Sequence, residues 1–151
     1  MNGVNDIAVA RKVLELEAEA IKNMSKQLDN NFLKSIEILL KVTGRVIVTG
    51  MGKSGHIACK MSSTLASTGT PSQFVHPGEA SHGDMGMITR SDAVLALSNS
   101  GETPELGDLL DYCRRFNIPL IAITGKQDST LAKNADCSLI LPEMPDACPM
   151  G

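Results

Sequence analysis

Arg45-Val46-Ile47-Val48-Thr49-Gly50-Met51-Gly52-Lys53-Ser54-Gly55-His56 decides the fold. A short β-branched run passes into a cluster of glycines, and a helical pattern follows over 56–67. A run without polar alternation predicts a strand covered on both faces, as in a parallel sheet flanked by helices. The same unit recurs downstream. Gln73-Phe74-Val75, Ala93-Val94-Leu95-Ala96-Leu97, Leu120-Ile121-Ala122-Ile123 and Ser138-Leu139-Ile140-Leu141 read as further strands. Helical segments over 104–116 and near Leu131 lie between them. Alternation of strand and helix predicts an α/β fold, a doubly wound five-stranded parallel sheet flanked by helices.

Upstream, Ile7, Ala10, Leu14, Ala18, Ile21, Met24 and Leu28 recur at helical spacing, with most charges off that stripe. This predicts a long amphipathic N-terminal helix. Phe32, Ile36, Leu39 and Leu40 predict a second, which Gly44 is expected to end.

The bulk numbers set limits. With 151 residues the chain suits one domain, and aromatics at 3% leave the core to aliphatic residues and eight methionines. A net charge of −3 provides no global field for nucleic acid or an anionic membrane, so an anionic ligand needs a local site. No apolar run approaches the ~20 residues of a membrane span. Four cysteines without CxxC spacing read as reduced thiols of a cytoplasmic protein.

In such a sheet ligands bind at the carboxyl ends of the strands, and each unusual stretch follows a predicted strand. Gly50-Met51-Gly52-Lys53-Ser54-Gly55 matches GxGxxG. The acidic ribose ligand expected about 20 residues on is absent. A Walker A loop would need glycine at position 47, which is Ile47. The segment is either a plain glycine turn or a close approach to a phosphate or oxyanion, with Lys53 and Ser54 as donors.

Ser98-Asn99-Ser100-Gly101-Glu102-Thr103-Pro104-Glu105 places three hydroxyls and an amide at the end of the third predicted strand. Thr103 or Ser100 fits a helix N-cap and Pro104 its first turn. Capping accounts for one or two of these side chains; a phosphate monoester has acceptors for all of them. His76-Pro77-Gly78-Glu79-Ala80-Ser81-His82-Gly83-Asp84 reads as a loop with two histidines and two acids, suited to acid–base work more than to metal. Asp146, after the fifth strand, is either a solvated acid or part of the same crevice.

Taken together, GMGKSGHI (50–57), SSTLASTGTPSQFVHPGEASHGDMGMI (62–88), SNSGETPEL (98–106) and DACPMG (146–151) resemble the arabinose-5-phosphate isomerases of the sugar isomerase (SIS) family in order and spacing. The resemblance implies a phosphosugar-binding domain over 1–151 that continues beyond Gly151. It implies interconversion of ribulose 5-phosphate and arabinose 5-phosphate, feeding lipopolysaccharide synthesis, in a homo-oligomeric protein (dimer or tetramer) with active sites between subunits. By match to the motifs, Ser54, Ser98, Asn99, Ser100 and Thr103 would hold the phosphate. Lys53, His82 and Glu105 would line the reacting end, with Gly52, His76 and Glu79 in the pocket. Asp146 stands where the family usually has glutamate, one methylene longer.

Isomerisation through an enediol needs a base, a donor on the carbonyl and an anchor for the phosphate. Glu105 or Asp146 is the candidate base, and Lys53 or His82 the donor. No cofactor and no metal is expected. The rival readings are a non-catalytic phosphosugar sensor, an isomerase of another sugar phosphate and a nucleotide-binding protein on Gly50, Gly52 and Gly55.

Overall fold

The computed structural model describes residues 3–145 and residue 147. The chain divides into two compact units, residues 1–29 with 142–151, and residues 30–141.

The first unit contains α1 (Gly3–Lys26). Its expected apolar stripe is exposed: Leu14 is 64% and Ile21 63% accessible. Val13, Leu16, Ala20 and Asn23 are the better-covered positions. The Asn23 side-chain amide donates to Met144 Sδ at 3.4 Å.

The second unit carries the sheet. Its elements are α2 (Asn30–Leu40), β1 (Val46–Gly50), α3 (Gly52–Ser67), β2 (Ser72–Phe74), α4 (Pro77–Ser81), β3 (Ala93–Leu97), α5 (Gly107–Phe116), β4 (Leu120–Thr124), α6 (Thr130–Asn134) and β5 (Cys137–Ile140). Short 3₁₀ turns at Asp84–Met87 and Pro104–Leu106 complete it. The five strands are parallel in the order β2-β1-β3-β4-β5. Every expected strand is present within one residue of its expected bounds.

Strand residues alternate between two cores, because successive side chains leave opposite faces. Ile47, Val94, Ala96, Leu120 and Ala122 pack with Leu106, Leu109, Leu110, Cys113 and Leu131. Val46, Val48, Leu95, Leu97 and Ile121 face Ala58, with Ile38, Leu39, Met61 and Leu65 packed against them. Burying one such aliphatic side chain stabilises the fold by about 1.5–3 kcal/mol. The helix after β1 therefore covers one face and the helix after β3 the other. The chain's path reverses between β1 and β3, the kind of boundary at whose carboxyl edge open sheets of this class bind ligands.

Three expectations change. α2 stops at Leu40, before Gly44. Gly44 is instead a close-packing position: its N–H donates to the Ser91 carbonyl at 2.8 Å, and a Cβ there would overlap Asp92. The segment read as a loop at 76–84 contains α4, since Pro77 opens the helix and His76 caps it, with Nδ1 accepting from the Gly78 N–H at 3.2 Å. The helix expected from 56 begins at Gly52, so Lys53 and Ser54 lie in its first turn. Of the cysteines, Cys59 is exposed while Cys113 and Cys137 are buried; Cys148 lies outside the described residues.

Candidate functional site

The register puts Gly50 of β1 opposite Leu97 of β3, and Leu97 opposite Ile123 of β4. The turns that follow these strands thus leave the sheet side by side. They are the glycine turn, the hydroxyl turn at 98–103 and the segment 125–130.

The glycine turn is compact because two backbones meet in it. A Cβ on Gly55 would stand 2.7 Å from the Gly50 carbonyl oxygen, so no larger residue fits there without moving the turn. Gly52 has φ +55. Lys53 and Gly52 are exposed, and Ser54 is half-buried. Just below the turn Thr49 is fully buried, and its hydroxyl finds no partner among the described residues. Its hydroxyl was not singled out in the sequence, where it reads as one more β-branched strand residue.

The hydroxyl turn is built inward from Ser98, which is 4% exposed. Ser98 Oγ and Thr103 Oγ1 lie 2.7 Å apart, and Ser98 Oγ accepts from the Gly101 N–H at 3.0 Å. Ser100 Oγ accepts from the Glu102 N–H at 3.2 Å. Thr103 does occupy the N-cap position of the Pro104–Leu106 turn, but its hydroxyl makes no cap bond and is directed to Ser98 instead. Capping therefore does not account for these side chains. Gly101 takes φ +67. Asn99 and Ser100 are exposed. A turn with hydroxyls and amides on a buried seat can donate several hydrogen bonds to one anion, each contributing about 1.5–3 kcal/mol when charge-assisted.

Residues the sequence reading missed hold this turn from the next strand. The Asn99 carbonyl accepts from the Gly125 N–H at 2.9 Å and from Thr124 Oγ1 at 3.3 Å. Glu102 accepts from the Thr130 N–H at 2.7 Å and from Thr130 Oγ1 at 2.8 Å. These two bonds hold its carboxyl below the usual glutamate range, backbone amide first, and Lys133 adds a smaller effect. The available signal was the Thr124-Gly125 pair at a strand end followed by Ser129-Thr130 at a helix start.

The third stretch supplies the titratable groups. α4 packs against the Pro104–Leu106 turn and α5. The segment holding His76, Glu79 and His82 is thereby brought to the element that holds Glu105. His82 is the C-cap of α4 and, like Glu79 and Glu105, is exposed. His76 has a structural use as the α4 cap, with its ring edge-on to Phe74 at 6.5 Å. No hydrogen bond or ion pair joins Lys53, His82 and Glu105 to one another among the described residues, so they stand as accessible donors and acceptors. Asp146 lies outside the described residues. Among the described residues no group of three or more His, Cys, Asp or Glu side chains is placed to hold a metal ion. No helix among them is long and apolar enough to cross a membrane.

The SIS domain family model matches residues 39–150. The chain is 52% identical over 141 residues to the arabinose 5-phosphate isomerase KdsD of Pseudomonas aeruginosa and 48% identical over the same length to that of Escherichia coli. Each match covers 93% of this chain and 43% of the relative, so the chain spans under half the length of these curated relatives. Among solved structures, E. coli c3406 in complex with arabinose 5-phosphate superposes with a TM-score of 0.94 at 38% identity, covering 100% of this chain and 80% of that one.

Proposed function

The chain belongs to the SIS domain family, and from that premise we propose that it interconverts D-ribulose 5-phosphate and D-arabinose 5-phosphate. The observation that carries this reading is the hydroxyl turn at 98–103, seated on buried Ser98 beside the glycine turn at the β1/β3 boundary. Identity near 50% with isomerases of that name supports the choice of sugar. So does the superposition on a protein that holds arabinose 5-phosphate.

In the proposed reaction, Ser54, Ser98, Asn99, Ser100 and Thr103 hold the phosphate and fix the far end of the sugar. Gly52, His76 and Glu79 border the pocket. A carboxylate, Glu105 or Asp146, takes the C1 proton of ribulose 5-phosphate. Lys53 or His82 supplies a proton to the C2 oxygen, so that a 1,2-enediol forms. Return of a proton to C2, with loss of the C1 hydroxyl proton, leaves the aldehyde of arabinose 5-phosphate. The burden on the protein is to hold negative charge on the two oxygens, which is where a preorganised cation contributes most. Residues 1–151 act as one phosphosugar-binding domain in a cytoplasmic enzyme that supplies lipopolysaccharide sugar-acid synthesis. A homo-oligomer, a tetramer, belongs to the same proposal. It is supported by the exposed apolar residues Ile7, Leu14 and Ile21 of α1 and, on α2, by Leu33 and Leu40.

The test is incubation with ribulose 5-phosphate in D₂O, with products identified by NMR. Arabinose 5-phosphate carrying deuterium at C2 is the expected product. Lys53→Ala should lower turnover by about 10²–10³-fold, the usual effect of removing one oxyanion donor, with the circular dichroism spectrum unchanged. No product from any pentulose or hexulose phosphate, together with binding of the sugar phosphate, would replace the isomerase with a sensor.

A further inference from the structure

The outer half of the hydroxyl turn is held from outside itself, 28 residues along the chain. Both oxygens of Glu102 are engaged by Thr130, one by its N–H and one by its hydroxyl. Beside this grip the Leu131 N–H donates to the Gly101 carbonyl at 3.0 Å. Gly101 lies so close to Ser129 that a Cβ would overlap the serine side chain. Ser129 is itself fixed, accepting from the Ala132 N–H at 3.3 Å and donating to the Lys126 carbonyl at 2.7 Å. The turn after β3 and the start of α6 are therefore one unit, and the Glu102 carboxylate is a charged tie within it.

A carboxylate within a segment that receives a phosphate is unexpected on charge alone, since like charges repel. Its geometry resolves this. The carboxylate is bound to Thr130, while its own N–H bonds Ser100 Oγ. We infer that Glu102 is a positioning residue for the sugar phosphate. Its two-point grip on Thr130 fixes the backbone between Gly101 and Thr103, so that the Ser100 and Thr103 hydroxyls are set before the phosphate arrives. Ordering a loop in advance strengthens binding by removing that cost from association. The inference rests on the reading that this turn receives the phosphate.

The sign of the effect makes it testable. Removing a negative charge beside an anion site should tighten anion binding; loss of a positioning residue should weaken it. Arabinose 5-phosphate and inorganic phosphate are titrated into the wild-type protein, Glu102→Ala, Thr130→Val and the double variant, with KM, kcat and Tm recorded for each. Glu102→Ala is expected to raise Kd and KM about tenfold while kcat changes far less, the pattern of lost uniform binding. Thr130→Val removes one of the two bonds and should give a smaller rise. The double variant should be no worse than Glu102→Ala, because both changes break one interaction. Glu102→Gln keeps an acceptor oxygen and should recover part of the loss. Tighter or unchanged binding in Glu102→Ala overturns the inference, as do additive effects. So does a fall in kcat and Tm without a rise in Kd, which would make the residue merely structural. Wild-type protein that binds neither ligand overturns the phosphate reading itself, and that outcome is visible without any variant.

Discussion

Where β1 and β3 begin, Asp92 is 3% exposed and its carboxylate is fully engaged. Oδ1 accepts from the Arg45 N–H at 2.6 Å, and Oδ2 accepts from the Thr89 N–H at 2.7 Å and its hydroxyl at 3.0 Å. Where β4 and β5 begin, Asp136 does the same on a smaller scale, with Oδ2 accepting from the Leu120 N–H at 2.8 Å. Each acid stands immediately before a strand and ties the first amides of a neighbouring one. At the other edge, where strands end, Lys53, His82 and Glu105 are exposed, and the hydroxyls at 98–103 sit on a rigid seat. One edge uses its polar groups to close the backbone. The other holds the exposed groups that the proposed ligand site would use. A hollow of about 440 Å³ also lies at the starting edge. Among its lining groups, Lys34 donates to the Asp136 carbonyl, and Arg114 pairs with Asp111 at 2.6 Å.

The sharpest way to break this contrast is Gly101→Ala. The substitution forces a side chain into φ +67 and into the volume of Ser129, which is 4% exposed. Left-handed strain and overpacking together should cost on the order of 4 kcal/mol. Urea unfolding measures that loss. Titration with arabinose 5-phosphate should show binding falling in parallel, because the seat and the proposed ligand contacts are the same residues. Normal affinity in a destabilised variant would separate the turn from the site.

Asp92→Ala tests the opposite edge. Three donors lose their acceptor in a buried place, and hydrogen bonds to a charged group contribute about 1.5–3 kcal/mol. Stability should fall by about 3 kcal/mol with the affinity for sugar phosphate unchanged. A weakened affinity would mean that the strand starts communicate with the strand ends, and the division of labour would fail.

The strands and the turns that follow them were legible in the sequence, and the reason is local. Val46, Val94 and Ile121 sit in runs whose neighbours alone declare a buried strand, and the glycines and hydroxyls follow within a few residues. What escaped depended on contacts distant in sequence. The order β2-β1-β3-β4-β5 has no local signature, and without it nothing pairs Glu102 with Thr130 or Asn99 with Gly125. The α4 helix was hidden because His76-Pro77-Gly78 has turn composition, although Pro77 also suits a first helical turn. Gly44 was misread for the related reason that a glycine can end a helix or admit a neighbour, and only the nearness of Asp92 decides between them. The α1 periodicity located an apolar face, and that face is exposed.

The smallest expected effect concerns Cys113, which lines the starting-edge hollow beside Asp136 and is 2% exposed. Burial, and secondarily the Asp136 carboxylate, push its thiol up from 9.0 to about 12. A raised thiol makes the folded state hold a proton that the unfolded chain releases. Below pH 9 both states keep it, so the contribution is fully present. As pH rises from 9 toward 12 unfolding releases the proton, and stability falls. At pH 10, one unit above the unfolded value, the loss is about 1.4 kcal/mol. Urea titrations at pH 8 and pH 10 on wild type and Cys113→Ala isolate it, since other titrating groups are common to both. The variant is less stable throughout, because it leaves a cavity, but its decline between the two pH values should be shallower by that amount. Equal declines would mean that the thiol ionises as easily in the fold as in the open chain. The starting edge would then be wetter than its closed hydrogen bonds require, and burial would no longer separate it from the edge proposed to receive the ligand.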